Sequence, residues 1–134
     1  MDAIELTRQV GKAIQEDPRY IGYNLARETN DSDKELQDLI GQFNLQKLAL
    51  NEEIGKENKD EAKVKAFDTQ LRETYSKIMN NENMVRFNKA KTELDELVSN
   101  VYGIISMTME GQDPLTCDPT ACGGSCDSCG GGCH

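Results

Sequence analysis

Apolar residues recur along this chain at three- and four-residue steps as far as residue 108, the spacing that puts them on one face of a helix. Ile4, Leu6, Val10, Ala13 and Ile14 predict a short amphipathic helix. It should stop before Asp17-Pro18, because the residue ahead of a proline is pushed out of the helical region. Pro18 then suits the first position of a second short helix carrying Tyr20, Ile21, Tyr23 and Leu25 toward Asn30. Ser32-Asp33-Lys34-Glu35 has the form of a capping box, with Ser32 bonding forward and Glu35 bonding back. Leu36, Ile40, Phe43, Leu50 and Ile54 follow as a stripe, and Lys47 occupies one of its slots, so the stripe should not be sealed on all sides. A break is expected over residues 55–60, then a helix carrying Val64, Phe67, Leu71, Tyr75 and Ile78. The run Asn80 to Asn83 reads as a second break and a cap. Beyond it Phe87, Ala90, Leu94, Leu97, Val101, Ile104 and Thr108 alternate steps of three and four, as in a coiled-coil seam. The same positions would equally form the core of a bundle. No internal repeat and no useful strand-period segment is present. The expected fold is all-α: an antiparallel helical bundle of about four to five helices, with long amphipathic members.

Composition changes this picture at one place. Residues 1–110 contain every Lys and Arg, while residues 111–134 contain six of the eleven Gly, two of the three Pro, all five Cys and the single His. Two parts are therefore expected, a helical domain over 1–110 and a flexible Gly/Cys-rich tail over 111–134. The helical part lacks Trp and has few aromatics, so its core must rest on aliphatic residues, Met and three Phe. That supply is modest, and a helical assembly of this kind commonly adds a partner to bury its remaining apolar stripe.

The net charge of −9 opposes direct contact with phosphate backbones and with anionic membranes. Lys56, Lys59, Lys63 and Lys65 are the best local basic patch, but Glu57, Asp60 and Glu61 are interspersed among them, as on a solvated helix face. No segment approaches a membrane span, and the N-terminus lacks the layout of a signal peptide. A cytoplasmic location with reduced thiols is the expectation. Signs of catalysis are wanting. There is no Gly-rich phosphate loop and no dinucleotide fingerprint. The lone His, at position 134, leaves the helical part without a Ser-His-Asp triad or a helical zinc site. Glu52/Glu53 and Asp95/Glu96 read as solvated carboxylates with helix-neighbour partners.

The tail carries the candidate chemistry: Cys117-x4-Cys122-x3-Cys126-x2-Cys129-x3-Cys133-His134. Leu115 is its only large aliphatic side chain, so packing does not account for five thiols. Glycines between them permit tight bends and expose amide N–H groups to sulfur. Cys122, Cys126, Cys129 and Cys133 could hold an iron–sulfur cluster, although their spacing departs from the bacterial run and no Pro follows the last Cys. Zinc could take four of the thiolates, or three with His134, and Cys117 is a spare, an exchange ligand or a ligand shared with a partner. A redox dithiol at Cys126-x-x-Cys129 lacks the usual strand–helix setting. The plainest alternative is a tail of free thiols.

The helical part also resembles a known family, the YlbF/YmcA family of control-of-competence regulators. The resemblance covers residues 1 to about 110. It is carried by the N-terminal amphipathic segment, by Asp31-Ser32-Asp33-Lys34-Glu35-Leu36-Gln37-Asp38-Leu39-Ile40 with Phe43-Asn44 behind it, by Arg72-Glu73-Thr74-Tyr75, and by Asn83-Met84-Val85 leading to Phe87. Related chains also end in a Gly/Cys tail. The resemblance implies a self-associating helical fold and a regulatory role without enzyme activity. It also implies partners resembling YmcA and YaaT, an iron–sulfur cluster of the 4Fe–4S type, with zinc as the alternative, and a link through ribonuclease Y to messenger RNA processing, competence, biofilm formation and sporulation. On this reading the chain is a protein-interaction regulator. A small zinc- or cluster-carrying protein whose tail is the active part, or a plain helical assembly factor, are the alternatives.

Overall fold

The computed structural model describes residues 1–122. The expected all-α fold is what the chain adopts: five α-helices, and no strand among the described residues. They are α1 (Ala3–Glu16), α2 (Pro18–Ser32), α3 (Lys34–Ile54), α4 (Glu61–Asn80) and α5 (Glu82–Met109), followed by a short 3-10 turn at Pro119–Cys122. Two compact units divide the chain, the first ending at Ala90 and the second beginning at Lys91, within α5.

The helix breaks fall where the punctuation placed them. Asp17 ends α1 and caps α2, accepting from Arg19 N at 2.8 Å, with Pro18 in the first helical turn. The Arg19 guanidinium closes on the same carboxylate at 2.9 Å and holds its pKa down at about 2. Gly55 ends α3, and Asp60 caps α4 by accepting from Ala62 N and Lys63 N. Asn81 caps α5, its side-chain oxygen accepting from Asn83 N at 2.9 Å and Met84 N at 3.1 Å. One cap differs from expectation. Ser32 is the last residue of α2, and Asp33 caps α3, accepting from Leu36 N at 3.1 Å. Asp33 wins the position because its second carboxylate oxygen has distant partners that a serine hydroxyl would not reach.

In the first unit α3 and α4 form an antiparallel pair, since the start of α3 meets the end of α4 at Asp33 and Asn81 and the other ends meet at Glu53 and Asp60. Phe43 and Tyr75 lie against each other midway, ring centroids 6.0 Å apart. Helix α2 packs on both α1 and α3, and Tyr23 of α2 meets Phe87 at the start of α5 with centroids 5.4 Å apart. The core is thin. Among the described residues Leu36 and Ile78 are the buried large apolar ones, and of these Leu36 is sealed completely.

Two stripe positions shift by one residue. On α4 the buried place goes to Thr74 rather than Tyr75, which keeps half its surface in solvent. Thr74 tolerates burial because its hydroxyl donates to the Gln70 carbonyl at 3.0 Å. On α3 the buried place goes to Glu53 rather than Ile54. Glu53 thus departs from its expected reading as a solvated carboxylate. Its Oε1 accepts from Asp60 N at 3.0 Å, and its Oε2 takes Lys56 Nζ at 2.8 Å, so it staples the α3–α4 loop. Lys56, read as part of a solvated basic face, is tied into that staple.

Candidate functional site

Two features of the surface bear on function: apolar side chains that the fold leaves uncovered, and the segment that leads into the cysteines. On α3 Leu36 is buried and Ile40, Phe43 and Leu50 are half-buried, while Leu45 and Leu48, one turn apart, stand out at 69% and 59% exposure. Ile4, Leu6 and Val10 of α1 and Ile21 and Leu25 of α2 are likewise exposed, and α1 buries no residue at all. Along α5 the seam residues Phe87, Ala90, Leu94, Leu97 and Val101 are half-buried, and Ile104 and Thr108 are exposed. Scattered apolar residues are ordinary on a protein surface. Here Leu45 with Leu48 and Ile21 with Leu25 share helix faces, while among the described residues Leu36 and Ile78 are the large apolar side chains that are buried.

The polar residues at the helix junctions serve the fold. Asp33 accepts from Asn83 Nδ2 at 2.9 Å and Asn81 Nδ2 at 3.3 Å, besides capping α3. The cap bond from Leu36 N and then the Asn83 amide hold its carboxyl below the usual range. Glu53 is lowered too, first by the Lys56 ammonium and then by the Asp60 amide. Both are therefore firmly ionised near neutrality. A carboxylate used to shuttle protons is tuned the other way, toward the working pH. Open grooves flank the Asp33–Asn83 junction, one lined by Leu25, Glu28, Thr29 and Ser32, the other by Glu35, Leu39, Ser76 and Lys77.

Helix α5 ends in a Schellman motif. Gly111 N bonds to Thr108 O and Gln112 N to Met107 O, both at 3.0 Å, and Gly111 takes φ +92°, a left-handed conformation for which glycine is suited. The chain then makes one tight turn, with Asp113 O accepting from Thr116 N and Cys117 N and Asp113 Oδ1 from Leu115 N. Asp118 caps the 3-10 turn by accepting from Thr120 N at 2.9 Å. Cys117 is a free, half-buried thiol. Cys122 closes the 3-10 turn. Cys126, Cys129, Cys133 and His134 lie outside the described residues. Among the described residues no three His, Cys, Asp or Glu side chains converge on a point that could hold a metal ion, and no helix is long and apolar enough to cross a membrane.

Comparison with known proteins agrees with the fold. No curated protein and no solved structure matches the chain. The family described as control of competence regulator ComK, YlbF/YmcA, matches residues 3–110, from the first residue of α1 to the residue after α5. The match spans all five helices and ends one residue before the Schellman glycine; the chain belongs to the YlbF/YmcA family.

Proposed function

We propose that this protein is a non-enzymatic regulator of the competence type that works by protein–protein contact, its helical body docking partners and its cysteine tail holding an iron–sulfur cluster that steadies the assembly. The observation that carries the reading is the imbalance between a two-residue apolar core and the aligned apolar faces on α1, α3 and α5. Membership of a regulator family supports the same reading. The partners are a second copy of the chain and proteins resembling YmcA and YaaT, with ribonuclease Y downstream. Messenger RNA processing, biofilm formation and sporulation are then the affected outputs. The donor set suits the cluster: five soft thiols and one imidazole between Cys117 and His134, with Cys117 free of any disulfide. Cys122, Cys126, Cys129 and Cys133 would be the ligands, with Cys117 in reserve and His134 as the replacement ligand. When bound, the cluster supplies a redox-sensitive crosslink among these residues.

Anaerobic purification followed by metal analysis and a visible spectrum tests the cluster. A brown, oxygen-sensitive absorbance that Cys129→Ser abolishes and Cys117→Ser largely preserves is expected. A colourless chain holding one tight zinc would replace the cluster by a structural zinc site. A chain that takes up neither metal would leave the helical body alone to carry the function.

A further inference from the structure

The segment between α5 and the cysteines folds back onto α5. Pro119 lies so close to Gly103 that a Cβ built there would stand 2.7 Å from Pro119 Cβ and 3.5 Å from its Cα. Non-bonded carbon atoms do not approach to 2.7 Å, so this contact requires the absence of a side chain at 103. The glycine is otherwise out of place, because an interior helical glycine weakens the helix relative to alanine. Gly11, Gly22 and Gly41 are also helical, yet a Cβ on any of them would meet nothing within 4 Å. Gly103 alone among these helical glycines is matched to a neighbour.

The approach is prepared on the other side as well. The Schellman reversal at Gly111 turns the chain back along α5. Asp113 and Asp118 then close two successive local turns that deliver Pro119, itself fixed in φ, to the helix. Cys117 rides between these turns and is half-buried.

We propose that Gly103 is a seat for Pro119 that straps residues 113–120 to α5, making the pair positioning residues for Cys117, which the docked strap holds half-buried. How readily the Cys117 thiol is reached then follows the local opening of the strap.

The test uses the metal-free full chain, with hydrogen exchange of residues 113–120 and the alkylation rate of Cys117, located by peptide mass. Gly103→Ala should raise both roughly tenfold, as local opening replaces a docked state. Gly11→Ala and Gly41→Ala should leave both unchanged. Pro119→Gly should release the strap too, and adding Gly103→Ala to it should do nothing more, since one contact cannot be lost twice. Wild-type exchange and alkylation in Gly103→Ala, or additive effects in the double variant, would overturn the seat.

Discussion

Asn83 donates from Nδ2 to Asp33 Oδ2 at 2.9 Å, a bond between residues fifty apart in sequence. With Asn81 beside it, this bond ties the α2–α3 junction to the α4–α5 junction, so one carboxylate caps a helix and clamps two chain breaks together. Asn81 contributes to both, as a partner of Asp33 and as the cap of α5. Asn81→Ala should lower stability by about 1–2 kcal/mol, near the upper end for a lost cap. Asn83→Ala should destabilise less, because Asn81 still serves Asp33. Thermal melts of the two variants check the order.

The same clamp predicts acid sensitivity. Asp33, Asp17 and Glu53 all have folded-state pKa values below their unfolded ones. Each therefore contributes stability that is fully present above its unfolded value and is lost as pH falls through the folded one. For Asp17 that window runs from 3.8 down to about 2; for Glu53 the loss begins below 4.5. Urea midpoints should be flat from pH 7 to pH 5 and then fall. In Asp33→Asn the fall should be shallower and the starting midpoint lower.

The thin core concentrates packing on few side chains. Leu36→Ala empties a fully sealed apolar site and should cost about 2–5 kcal/mol. Gly41→Ala, by contrast, adds a Cβ in open space on a helix and should stabilise by about 0.5–1 kcal/mol. Denaturant melts of both, set beside Gly103→Ala, separate helix propensity from contact.

Much of this fold was legible in the chain. Pro18, Gly55 and the Asn80–Asn83 run marked the helix ends because they act through local backbone chemistry. The one-residue slips have tertiary causes. Ser32 and Asp33 are both good caps, and the choice fell to Asp33 through Asn81 and Asn83, which no local window contains. Ile54 fits the apolar period better than Glu53, yet the loop amide of Asp60 needed an acceptor. The cysteine run was visible as a candidate site from its spacing and its lack of packing residues. The strap was not: a single glycine within the α5 stripe was its only trace, and that signal means nothing until Pro119 is seen against it.

The central claim is that the exposed helix faces exist to be covered by protein. Leu45 and Leu48 stand outside the core, so exchanging both for Asp should leave the helical fold of the single chain in place. Sedimentation of the wild-type chain beside Leu45→Asp/Leu48→Asp is the most direct measurement. The account predicts a wild-type dimer or larger assembly that the paired substitution weakens or disperses. A wild-type chain that stays monomeric at high concentration would contradict it.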